Sequence, residues 1–76
     1  MLNTLKQTLT ANLNKIDVEG YTAGHLLPLI EKYEAGQMSK FQLSNKILKW
    51  REKHLSGGSQ AHKNVANFCD DLIKAL

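Results

Sequence analysis

The stretch MSKFQLSNKILKWREKHL, residues 38–55, decides how this chain is read. Ser39 is followed three positions later by Gln42, the spacing of a capping box. Met38 just before the cap and Leu43 at the fourth helical position form a hydrophobic staple. The pattern predicts a helix from Lys40 to about His54, stopped by Leu55-Ser56-Gly57-Gly58. At about 100° per residue its apolar side chains fall on two flanks. Phe41, Leu48 and Leu55 share one; Leu43, Ile47 and Trp50 share the other, with Lys40, Ser44 and Arg51 between them. Either helices on both sides cover these flanks, or one flank stays open to a partner or to a second copy of the chain.

Charge concentrates on the same segment. Lys40, Lys46, Lys49, Arg51 and Lys53 stand against the single acid Glu52. Residues 1–39 hold three lysines and four acids, and residues 54–76 hold two of each, so the whole excess of +3 belongs to this helix. Lys46, Lys49 and Lys53 lie on one arc together with Gln42. Stacked ammonium groups at that spacing suit phosphates or acidic side chains, although a solvated helix face has the same pattern.

Working outward, helical spacing dominates everywhere and no strand-like alternation persists. Leu2, Leu5, Leu9, Leu13 and Ile16 fall within roughly 80° on a wheel. They predict a first helix from Leu2 to Ile16, ended by Asp17-Val18-Glu19-Gly20. Thr22 is read as the cap of a second helix with a stripe of Leu26, Leu29, Ile30 and Tyr33, and Gly36 as its left-handed stop. Pro28 either begins this helix or sits inside it; the expectation taken is a start before Pro28 and a bend there. Ser59 is the N-cap of a fourth helix running nearly to Leu76, with Ala61, Val65, Phe68, Leu72 and Leu76 inside. The reading is all-α: one domain, residues 1–76, a compact four-helix bundle with short loops.

Seventy-six residues, 42% apolar and 22% charged, form one small globular domain rather than a disordered or fibrous chain. A chain this short buries only about 60% of its unfolded surface, so a substrate pocket is hard to carve from its core. No run approaches the ~20 apolar residues of a membrane helix. There is no secretory pattern, no glycine after Met1 and no prenylation box at Leu76. With the lone Cys69, a soluble cytoplasmic protein is expected.

Candidate chemistry is sparse. His54, His62 and Cys69 lack the paired spacing of zinc ligands, so no metal and no cofactor are expected. Cys69 has Asp70 beside it, which raises a thiol pKa and argues against a nucleophile. Asp70 and Lys74 are spaced for a surface ion pair, with an inward pairing of Asp71 and Arg51 as the other arrangement. Gly57-Gly58-Ser59 lacks the Gly-Lys ending of a phosphate loop. By subtraction, the expectation is a non-enzymatic binding or regulatory protein. It docks on another protein with an acidic surface through Lys46, Lys49, Trp50, Arg51 and Lys53. The alternative is a helix-turn-helix-like DNA- or RNA-binding protein using Lys40, Gln42, Asn45, Lys46, Lys49 and Lys53. A homodimer is compatible with both.

Overall fold

Three of the four helices begin at a side-chain cap, and the first begins at Met1 without one. A computed structural model describes residues 1–76: α1 spans Leu2–Asn12, α2 Val18–Glu34, α3 Lys40–Leu55 and α4 Gln60–Ala75. The α3 start is as the sequence predicts. Ser39 Oγ accepts from the Gln42 amide at 3.1 Å, and the Ser39 amide donates to Gln42 Oε1 at 3.0 Å. Ser59 caps α4 in the same way, accepting from the His62 amide at 3.2 Å. At the end of α2, Gly36 takes φ +77°, its amide donates to Tyr33 and the Gln37 amide reaches back to Lys32. That is a Schellman stop, and it needs a residue without a Cβ penalty at positive φ.

The first two helices meet differently from expectation. α1 ends at Asn12, not Ile16; Leu13 is exposed and Ile16 is 90% exposed, so the apolar seam stops at Leu9. Thr8, Thr10 and Asn12 each turn their side chains back onto the carbonyl four residues earlier, the local bonding that makes such residues weak helix formers. The cap of α2 is Asp17, whose Oδ1 accepts from the Gly20 amide at 2.9 Å. Thr22 is not a cap but a buried helical residue. Gly20 is not a helix stop either. A Cβ there would lie 1.9 Å from the Lys15 carbonyl oxygen, so glycine marks where the α1–α2 turn crosses its own helix.

α2 runs through Pro28. Proline has no amide proton, so the carbonyl of Gly24 loses its donor. Both residues are exposed, which lets water take that place.

All four helices contribute to one core: Leu9 from α1, Ala23, Leu26, Leu27 and Ile30 from α2, Leu43 and Ile47 from α3, and Val65, Cys69 and Leu72 from α4. α3 against α4 is the most extensive pairing. The radius of gyration, 11.6 Å, matches the ~11 Å of a fully packed chain of this length. On α3 only the Leu43–Ile47 flank is sealed. Phe41, Leu48 and Leu55 remain 75, 41 and 53% exposed, so helices do not cover both flanks.

Ser39→Ala removes the α3 cap and is expected to cost about 1 kcal/mol. Gly20→Ala forces the turn apart and should cost more than the cap variant. Urea denaturation of the two proteins beside the wild type checks both the values and their order.

Candidate functional site

Between α2 and α3 lies an open groove of about 270 Å³, lined by His25 and Leu29 from α2 and by Lys46, Lys49, Trp50 and Lys53 from α3. Its basic wall follows from helical geometry. Lys46, Lys49 and Lys53 recur at intervals of three and four, so they project along one side over about 10 Å of rise. Its floor is the half-buried indole of Trp50, which is held on several sides. Nε1 donates to Thr22 Oγ1 at 2.9 Å, and Thr22 Oγ1 in turn donates to the Val18 carbonyl at 2.7 Å. The His25 ring stacks on the indole with centroids 4.1 Å apart and 14° between planes. The His54 ring lies 4.5 Å away, tilted, and Lys53 Nζ stands 5.1 Å from the indole centroid.

The charges of the groove are uncompensated. The salt bridges of the molecule join Lys6 to Glu34, Lys15 to Glu19 and Arg51 to Asp70. None uses Lys46, Lys49 or Lys53, and no carboxylate lines the groove. His25 responds to this surrounding. Partial burial against the indole, then the positive charges of Lys46 and Lys53 and the neighbouring His54, hold its pKa below the ordinary 6.5. The protonated imidazole is therefore disfavoured in the empty groove.

The structure brings together four of the five residues expected at a protein interface: Lys46, Lys49, Lys53 and Trp50. Arg51 is separated from them. It faces α4, where Nε lies 2.6 Å from Asp70 Oδ1. Asp70 thus pairs with Arg51 rather than with Lys74, and Asp71 does not take the inward role. Lys40 and Asn45 are exposed on α3 but do not line the groove. Gln42 is engaged by its own oxygen in the capping box. His25 and Leu29 are the lining residues that α3 alone does not reveal. Their spacing of four, one turn beyond Thr22, is the signal that places them side by side on α2.

Other chemistry-bearing groups are arranged differently. His54 is buried, and its Nδ1 donates to the Trp50 carbonyl at 2.8 Å. His62 packs 5.8 Å from His54, its Nδ1 against Ser59 Oγ. No three His, Cys, Asp or Glu side chains gather as metal ligands. Burial, then Asp70, pushes the Cys69 thiol up to about 11 against a smaller opposing pull from Arg51, so it is protonated at neutral pH. A smaller hollow of about 180 Å³ opens beyond Thr22 among α1, α2 and α4. Its one acid, Glu19, already faces Lys15, and no set of like charges converges there. No helix is long and apolar enough to cross a membrane.

Comparison with protein-family models, with curated proteins and with solved structures finds no match for this chain.

Two measurements check these electrostatics. Cys69 should resist iodoacetamide in the native protein at pH 8 and react only at the rate of unfolding. His25 should lower stability on acidification. Below about pH 6.5 the unfolded chain binds a proton that the folded chain refuses, so ΔG of unfolding falls as pH falls from 7 towards and through the depressed native pKa. The urea midpoint should therefore decline over that range, and decline less in His25→Gln.

Proposed function

We propose that this chain is a small binding protein, not an enzyme, that docks on another protein carrying an acidic surface. The contact centres on Lys46, Lys49 and Lys53, with Trp50 as the apolar floor between them and His25 at the rim. Arg51 is left out because its charge is already answered by Asp70.

The observation that carries this reading is the composition of the exposed part of α3. It presents unpaired lysines on one arc and, roughly 130° further round the helix, the bare apolar ridge Phe41, Leu48 and Leu55 at intervals of seven. A phosphodiester backbone answers only the lysines. A protein surface answers both, because interfaces combine apolar cores with charged rims. The indole also argues for a protein partner. Its N–H is committed to Thr22 and its ring is packed by His25 and His54, so it offers poor access for a nucleic-acid base. Gln42, a base-reading candidate in the helix-turn-helix alternative, uses its oxygen within the chain.

Trp50 is the sole tryptophan, so its emission reports occupancy of the groove. A glutamate-rich amphipathic peptide should change that emission. Lys46→Glu with Lys49→Glu should weaken binding roughly a hundredfold, about 1.4 kcal/mol for each tenfold step. Phe41→Ser should weaken it severalfold without altering the fold. The reading falls if the peptide leaves the emission unchanged. It also falls if duplex DNA or single-stranded RNA binds with a log–log salt slope of about −0.9 or −0.7 per phosphate and Phe41→Ser has no effect. Sedimentation at high micromolar concentration decides the homodimer: a mass of 8.5 kDa removes it.

A further inference from the structure

The groove has two properties that the docking reading alone does not use. Its three lysines converge on one small space, and beside them stands an imidazole whose protonated form they disfavour. Three ammonium groups and an imidazole surround about 270 Å³ with no acid among the lining side chains. Unmodified acidic residues carry one charge each on separate side chains. A phosphate monoester carries ≈ −1.5 to −2 on a single compact group near neutral pH, with three strong acceptor oxygens. It meets several convergent donors at one position.

His25 is placed to respond. Its exposed ring stacks on an indole that is itself hydrogen-bonded to Thr22, which places the imidazole at the rim of the groove. The charged or titratable groups around it are Lys46, Lys49 and Lys53 in the groove and His54 behind the indole, with His62 beyond His54 on α4. On α2 itself, Tyr21 and Lys32 lie one turn before and two turns after His25, on the same side of the helix. Glu31 lies on another side, and Glu34 is paired with Lys6 of α1. Glu52 of α3 does not line the groove, every charged side chain that does line it is positive, and an incoming anion reverses that local field.

We propose that this groove receives one phosphorylated side chain of the partner protein, and that filling it takes up one proton at His25. The proposal rests on the docking reading and narrows it to a modified partner. Binding of an anion whose charge does not change then strengthens as pH falls, because the bound anion stabilises the imidazolium that the empty groove disfavours, whereas a phosphate monoester loses charge itself near pH 6.

The test uses a phosphoserine peptide, the same peptide with glutamate in that place, inorganic phosphate, and inorganic sulfate, whose charge is constant between pH 5.5 and 7.5. The His25 ring is followed by NMR, and proton uptake by calorimetry in two buffers. Expected are at least tenfold tighter binding of the phosphopeptide than of the glutamate peptide, and weaker binding of inorganic phosphate than of the phosphopeptide. The His25 midpoint should rise on filling. Sulfate should bind at least threefold tighter at pH 5.5 than at 7.5. His25→Gln should flatten that dependence yet still bind sulfate at pH 7.5. Lys46→Gln with Lys53→Gln should raise the empty-state His25 midpoint towards 6.5 and weaken sulfate binding. Equal affinity for the phospho- and glutamate peptides, or an unmoved His25, overturns the proposal and leaves docking on an acidic protein standing. Inorganic phosphate binding as tightly as the phosphopeptide also overturns it, in favour of a free anion. Failure of both peptides removes both readings.

Discussion

The hydrogen bond from the Trp50 indole to the Thr22 hydroxyl joins α3 to α2 at the point where core becomes surface. Below it lie Leu26, Ile30, Leu43 and Ile47, sealed from water. Above it lie the imidazole and the lysines. A half-buried indole N–H must find an acceptor or lose about 1–3 kcal/mol, and Thr22 supplies one while discharging its own proton to the Val18 carbonyl. The bond orients the indole ring, and His25 stacks on that ring. Without it the lysine arc would still exist, but it would border a mobile side chain instead of a shaped hollow.

Sequence and structure agree where a short-range rule governs and part where a tertiary contact does. The α3 and α4 starts were legible because Ser39, Gln42 and Ser59 act within three residues. Gly36 was legible because positive φ selects glycine. The α1–α2 turn was not. Asp17 and Gly20 look like a helix end, yet the first caps the next helix and the second makes room for the Lys15 carbonyl, an approach that no local pattern encodes. Leu13 and Ile16 continue the apolar period of α1 but have no partner to pack on. Periodicity shows which face could be buried, and only the neighbour decides how far burial extends.

The candidate site divides in the same way. A helical wheel collects Lys46, Lys49, Trp50 and Lys53 because they share one helix. It also separates Arg51, but only the position of α4 shows that Asp70 answers its charge. His25 belongs to another helix, and its place against the indole depends on how α2 and α3 pack. That packing also settles which flank of α3 stays bare. Trp50 belongs to the sealed flank, and the ridge of Phe41, Leu48 and Leu55 to the open one.

Such a ridge on a small chain invites sticking between copies, which makes the nearby lysines useful for colloidal reasons as well. Two molecules approaching ridge to ridge bring together two helices that each carry the whole positive excess of the chain. At ordinary ionic strength, with a screening length of about 8 Å, that repulsion reaches across the contact before the greasy side chains meet. The arrangement opposes contact between the bare surfaces of two copies. It also makes dispersal of the unbound protein sensitive to anything that masks the lysines: concentrated salt, acetylation, or a pH approaching the isoelectric point near 9.2.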